Sequence, residues 1–291
     1  MSSELATELL PGEEAPRSGV REEWSSDKAY GLVWKLRELW RFRDLLWALT
    51  ARSIKGRYKQ SLLGISWAVI QPLAMTVIFT IVFSKFAKVD TGSTPYPVFS
   101  YAALLPWQLF NNNITKGSTS IVDNGGIVKK LYFPREVCVI SAVLSSLVDF
   151  AIAAVMLVVL MIIYGVPVSI TIGVLPLVLL ILLVFSLGAA FFLAAVNASY
   201  RDIGFGLPLL LQIWMYLSPV VYQISSVPER YRPLYMLNPL VPIIDSFRRV
   251  IVEQKMPDWP TLWPAAALAL VVMVIGYWYF KRAEGTFADI L

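Results

Sequence analysis

Residues Val137–Tyr164 read VCVISAVLSSLVDFAIAAVMLVVLMIIY, an apolar run in which Asp149 is the one charge. A helix needs about 20 mostly apolar residues to cross the hydrocarbon core, and this run exceeds that. Working outward, comparable stretches lie at Leu62–Phe83, Val98–Ser120, Ile170–Val196, Phe205–Tyr222 and Trp259–Phe280. Only a bilayer accommodates so many, because there each helix closes its own backbone hydrogen bonds. A hydrophobic content of 57% and a mean hydropathy of +0.64 exclude an ordinary soluble domain. The expected fold is an all-α membrane protein with six transmembrane helices.

The flanks set the domain plan and the orientation. Residues 1–30 are polar and rich in Glu, and read as a disordered cytoplasmic tail. Residues 31–60 read as an amphipathic helix lying in the membrane interface. At 100° per residue, Arg37, Arg41, Asp44, Arg52, Lys55 and Lys59 share one face, while Leu39, Trp40, Leu46 and Trp47 fall on the rest. Residues 61–291 form the six-span domain. The basic segment before the first span holds the amino terminus in the cytoplasm. The same rule puts Lys129, Lys130 and Arg135, then Arg201, then Lys281 and Arg282 on the cytoplasmic side, so both termini face in. The loop Gln223–Asp258 faces out despite its charges. Its Pro–apolar–Pro pattern, Pro239–Leu240–Val241–Pro242, favours short re-entrant helices. The second span needs Asn111, Asn112, Asn113 and Lys116 to face the bundle interior or water.

Several chemistries are excluded. Histidine is absent, and with it the commonest general base and metal ligand. Cys138 is the single cysteine, so no internal disulfide or cysteine metal cluster forms. No metal site and no cofactor in this chain are expected. No GxxxxGK[ST] phosphate loop occurs, so ATP, if it drives the protein, is bound and hydrolysed with Mg by another polypeptide. The net charge of +5 is concentrated near the first span and suggests an anionic membrane surface rather than nucleic acid. Asp149, deep in a span, reads either as a carboxyl bonded to neighbouring Ser or backbone or as a relay in a proton-coupled transporter.

Four strings in order resemble one family. They are Ala51–Gly64 (ARSIKGRYKQSLLG) with Gln71–Pro72–Leu73; Ile127–Glu136 (IVKKLYFPRE); Tyr200–Arg201–Asp202; and Leu217–Ser218–Pro219 with Asn238–Pro239–Leu240 and Phe247–Arg248. Together they resemble the permease subunit of ABC transporters exporting polysaccharides or polyol phosphates: O-antigen, capsule or teichoic acid. The resemblance implies a transporter rather than an enzyme, acting in the cytoplasmic membrane on a lipid-linked glycan. It implies a homodimer joined by two copies of a separate ATPase. Contacts with that ATPase would come from Arg52, Lys55 and Arg57; from Lys129, Lys130, Phe133, Pro134 and Arg135; and from Tyr200, Arg201 and Asp202. A channel between protomers along the first and fifth spans would make Trp67, Phe79, Phe83, Trp214, Tyr216 and Tyr222 its lining candidates.

Overall fold

The computed structural model describes residues 39–59, 62–88 and 94–290, and no strand occurs among them. The expected tail 1–30 and Arg37 lie outside the described residues. Helix α1 (Arg43–Tyr58) is followed by α2 (Trp67–Phe79), which continues as a π-helical stretch over Thr80–Phe86. Then come α3 (Tyr96–Asp123), the short α4 (Gly125–Val128), α5 (Glu136–Ile163), α6 (Leu175–Ser199) and α7 (Ile203–Tyr216). The long loop after α7 carries α8 (Arg232–Tyr235) and α9 (Leu240–Arg248), and α10 (Trp259–Ala283) and α11 (Phe287–Ile290) come last.

Among the described residues, four helices are long and apolar enough to cross a membrane: Trp67–Phe86, Glu136–Ile163, Ile170–Ser199 and Trp259–Thr286. The other two expected crossings differ, each for its own reason. Helix α3 has 28 residues, about 42 Å of rise, but its Asn and Lys residues lower its hydropathy. It tolerates them because protein, not lipid, surrounds it: α2, α5, α6, α7 and α9 all pack on it. Asn113, fully buried, donates to Ser186 Oγ at 2.9 Å, and Asn197 of α6 donates to the Ser118 carbonyl at 3.0 Å. Of the Asn cluster, Asn113 faces the bundle interior, while Asn111 and Asn112 are half-buried. Helix α7 has only 14 residues, about 21 Å, because the chain turns at Leu217–Ser218–Pro219, short of the expected end at Tyr222.

Two helices form the tightest seam. Where α6 crosses α10, a methyl added at Gly276 would sit 2.0 Å from the Gly188 carbonyl oxygen, and one at Gly188 2.4 Å from Met273 Cα. The backbones touch, as small residues permit in membrane bundles. By contrast α2 and α7 each bury a single stripe: Pro72, Thr76 and Phe79 on α2, and Leu207, Leu211 and Met215 on α7. Their other faces expose Val77, Ile78, Ile81 and Val82, and Leu209, Leu210 and Ile213.

Helix α1 seats on α5 through buried Leu49 and Thr50, and Ser53 Oγ reaches Ser145 Oγ at 3.3 Å. The expected split into a basic and an apolar face is incomplete. Trp40 and Trp47 are exposed like Arg43 and Arg52, because only a narrow strip of the helix finds α5.

Candidate functional site

Three polar groupings stand out, and the second and third are built largely from the residues that carry the family resemblance. The first joins α1, α3 and α5. Lys116 Nζ donates to Asp149 Oδ2 at 2.8 Å, and the Arg57 guanidinium pairs with the same oxygen. Asp149 is buried; Arg57 and Lys116 remain partly open. Neither reading of Asp149 from the sequence named these partners: two cations from other helices hold it. Arg57, expected at an ATPase contact, turns toward Asp149, since a carboxylate inside a span attracts the nearest cation. The three line a cavity of about 230 Å³ together with Trp67, Gln71, Gln108 and Asn112. On the other side of Lys116 lies a second cavity of about 280 Å³, lined also by Arg52, Ser53, Thr119 and Asn124.

The second grouping shapes the loop between α4 and α5. Phe133 and Pro134 are buried, Phe133 in a core patch with Val128, Phe191 and Phe280. They anchor the loop rather than present it, because the aromatic ring fills the gap beneath. Arg135 also turns inward on the loop: its Nη1 donates to the carbonyls of Phe133 at 2.9 Å and Leu131 at 3.3 Å, and its cation lies 5.2 Å from the Phe133 ring centre. What the loop exposes is Lys129, Lys130, Leu131 and Tyr132, the last 73% exposed. Behind it, buried Glu136 accepts from Tyr277 at 3.0 Å and lies 2.6 Å from Lys281 Nζ. Lys281 also reaches Glu284 at 2.6 Å, and Glu284 accepts the Arg135 backbone N–H at 3.2 Å. So the end of α10 braces the loop. Tyr200, Arg201 and Asp202 are exposed in the turn between α6 and α7, and Arg52 and Lys55 are exposed on α1.

The third grouping ties the long loop to the end of α7. Asn238 accepts from Trp214 Nε1 at 3.1 Å and from the Leu240 N–H at 3.1 Å, and donates to Ser218 Oγ at 3.1 Å. Arg248, 1% exposed, donates to the carbonyls of Pro219 at 3.1 Å and Tyr222 at 3.2 Å and to Asp245 Oδ1 at 2.9 Å. Its guanidinium carbon lies 4.3 Å from the Phe99 ring centre. Burial holds the Asp245 carboxyl above its ordinary range, against the opposing pull of Arg248. Helix α9 is buried along nearly its whole length, so the Pro–apolar–Pro stretch is a helix packed on α3, α6 and α10.

The aromatic lining candidates separate. Phe79 is buried, with Phe83 edge-on to it at 5.8 Å. Trp214 packs edge-on to Phe110 at 5.2 Å. The Tyr222 hydroxyl donates to the Tyr216 carbonyl at 2.9 Å and accepts from Tyr235 at 3.1 Å. Trp67 and Tyr216 keep about half their surface open. Phe79 is thus packed within the core, while Trp214 is half-buried and also lines a cavity of about 470 Å³ with Tyr231 and Tyr235. Sequence reasoning gave no site role to Lys116, Tyr132, Glu136, Lys281 or Glu284. Lys116 carried a signal, a cation inside a predicted span, and Lys281 only that of a cytoplasmic charge; Glu284 carried none.

Comparison with known proteins fits this layout. The chain is 30% identical over 256 residues to the O-antigen export system permease protein RfbA of Myxococcus xanthus, covering 87% of this chain and 98% of that one. It is 28% identical to the protein of the same name from Klebsiella pneumoniae, over 85% and 95% of the two chains. It is 25% identical to the polysialic acid transport protein KpsM of Escherichia coli, over 81% and 92%. The family model for ABC-2 type transporters matches residues 44–252, from the first turn of α1 to the end of the helical stretch after α9. The chain belongs to the ABC-2 type transporter family.

Proposed function

We propose that this chain is the membrane subunit of an ATP-driven exporter that moves a lipid-linked polysaccharide, O-antigen-like or capsular, across the cytoplasmic membrane. The observation that carries the reading is similarity along almost the full length of permeases named for O-antigen and polysialic acid export. The chain works as a homodimer with two copies of a separate ATPase, which binds ATP and Mg. The half-open apolar faces of α2 and α7 suit a seam between two copies, with Trp67 and Tyr216 toward the conduit. The membrane is crossed six times with both termini in the cytoplasm; α3, sheathed by protein, and α7 with its extension to Tyr222 supply the second and fifth crossings. Helix α9 is the re-entrant element on the outer side.

The ATPase docks on exposed Lys129, Lys130, Leu131 and Tyr132, with Tyr200, Arg201 and Asp202 and the exposed Arg52 and Lys55 as flanking contacts. Phe133, Pro134 and Arg135 give this hook a rigid base, so a push on it is transmitted to α5 rather than absorbed. Membership of the ABC-2 family weighs against a proton-coupled mechanism through Asp149. The test is reconstitution with the partner ATPase in liposomes carrying a labelled lipid-linked glycan. ATP-dependent transfer of the glycan to the opposite face is the expected result; transfer that proceeds equally without nucleotide overturns the reading.

A further inference from the structure

We infer that the apolar groove between the end of α7 and α8 seats one acyl chain of an anionic phospholipid, with the lipid phosphate on Arg230. The inference rests on the exporter reading above only in placing this loop at a membrane surface. The groove has a volume of about 470 Å³, within the range of about 300–1,000 Å³ for small-molecule sites. Leu217, Leu234 and Leu237 supply its aliphatic wall, and Trp214, Tyr231 and Tyr235 supply rings.

Three observations select this occupant. The polar groups set in the wall are already engaged. The Trp214 indole N–H donates to the Asn238 side chain, which also accepts from the Leu240 N–H and donates to Ser218, and the Tyr235 hydroxyl donates to Tyr222. A sugar ring entering here would leave hydroxyls unbonded, at a cost that a chain of methylenes does not incur. Next, Leu217, Tyr231, Leu234 and Leu237 are each more than half exposed around the groove. Contiguous apolar surface of this kind marks a contact with lipid or protein. Last, the lip is cationic. Arg230 is exposed, and its guanidinium carbon lies 5.9 Å from the Tyr231 ring centre. Glu229 is 3.7 Å from Arg232, so Arg230 is the cation of this stretch without a carboxylate beside it among the described residues. A basic residue and an aromatic ring at the lip of an apolar trough suit the level of lipid headgroups, and the positive charge favours an anionic one. A second copy of the chain suits the groove less well, since groove meeting groove across a two-fold axis sets Arg230 against Arg230. A bound acyl chain fills the gap between α7 and α8, so the loop is held to the bilayer as well as to the protein.

The experiment places the full-length chain in nanodiscs of phosphatidylcholine with a graded fraction of phosphatidylglycerol that carries a photoreactive diazirine in one acyl chain. Labelled peptides are identified by mass spectrometry. Label is expected on Leu234 and Leu237 and saturates at low probe fraction, whereas exposed Val271 and Val274 of α10 take label in proportion to the probe present. Arg230→Gln is expected to raise the half-saturating fraction about fivefold, the weight of one surface cation on an anionic headgroup. Leu234→Trp, which fills the groove, is expected to cut label at Leu237 about tenfold, as displacing about two methylenes would, and to leave label on α10 unchanged. Should Leu234→Trp fail to fold, Arg230→Gln, at an exposed position, carries the test. Label at Leu237 that rises only in proportion to the probe, or that is unchanged in either folded variant, overturns the inference. Displacement by a polyprenyl diphosphate disaccharide at a lower fraction than unlabelled phosphatidylglycerol requires overturns it in favour of the exporter's own cargo. A disulfide joining two chains through Leu237→Cys, the native Cys138 being buried, overturns it in favour of a second copy. Label absent from the groove while ATP-driven glycan transfer persists sinks this site alone; transfer without ATP sinks the exporter reading.

Discussion

The Arg248 cluster and the Asp149 cluster both hide charge among apolar helices, yet they are built on opposite plans. Arg248 is one cation held by several acceptors: two carbonyls and one carboxylate bind it, an aromatic face covers it, and it ties α9 to the end of α7, at the wall of a cavity of about 290 Å³. The Asp149 cluster inverts this: two cations from other helices hold one carboxylate, and Lys116 lines two cavities. A cation ringed by acceptors ties a loop to a helix end, whereas one carboxylate shared by two partly open cations joins three helices. Sequence type does not separate the two cases, since both are a basic residue beside an aspartate.

The contrast can be broken by substitution. The largest effect belongs to Arg248→Met, which strands Asp245 and two carbonyls. A loss of about 3–5 kcal/mol is expected, as for a buried pair with one partner removed, read as a fall in the thermal unfolding midpoint in detergent. A near-neutral result would place Arg248 with the Asp149 cluster. Next comes Glu136→Gln, which strips the brace behind the cytoplasmic loop of its charge. A loss of about 1.5–3 kcal/mol fits hydrogen bonds to a charged group, accompanied by uncoupling of ATPase activity from transport. Normal coupling with the same instability would show that the brace supports the fold and not the hook. Lys116→Gln should cost the fold only about 1 kcal/mol, because Arg57 still pairs with Asp149; a stability loss matching that of Arg248→Met would erase the distinction between the clusters.

The smallest effect is in pH. The folded Asp245 carboxyl takes up a proton more readily than the unfolded one, so its contribution to stability is full below about pH 4. It is lost as pH rises through the raised folded value. Comparing the parent with Asp245→Asn across pH 4–8 isolates the term; a slope of the opposite sign would show that the ion pair with Arg248 outweighs burial.

What could be read from the sequence divides along the same line. Apolar runs revealed the four long apolar helices, and of the Asn cluster one member, Asn113, is buried. The motif strings pointed to the family. They did not separate exposed members from buried ones: within Lys129–Arg135 the cations at the start are exposed, while Phe133 and Pro134 are core. Side-chain direction in an irregular loop has no period to read. Asp149 was visible as an anomaly, but its partners lie 92 and 33 positions away on other helices, and one helical face says nothing of what crosses it. The early end of α7 depended on the Ser218 hydroxyl returning to the Trp214 carbonyl and on Asn238 from a distant loop, neither of which local pattern supplies.

The glycine crossing at Gly188 and Gly276 carries a last consequence. With main chains in direct contact, α6 and α10 have no clearance for sliding, so any working stroke must carry them as one strut. Freedom of movement then belongs to the lightly gripped outer members, α2 and α7, and a bulky side chain at the crossing should prise the strut apart without touching any residue that meets cargo or nucleotide.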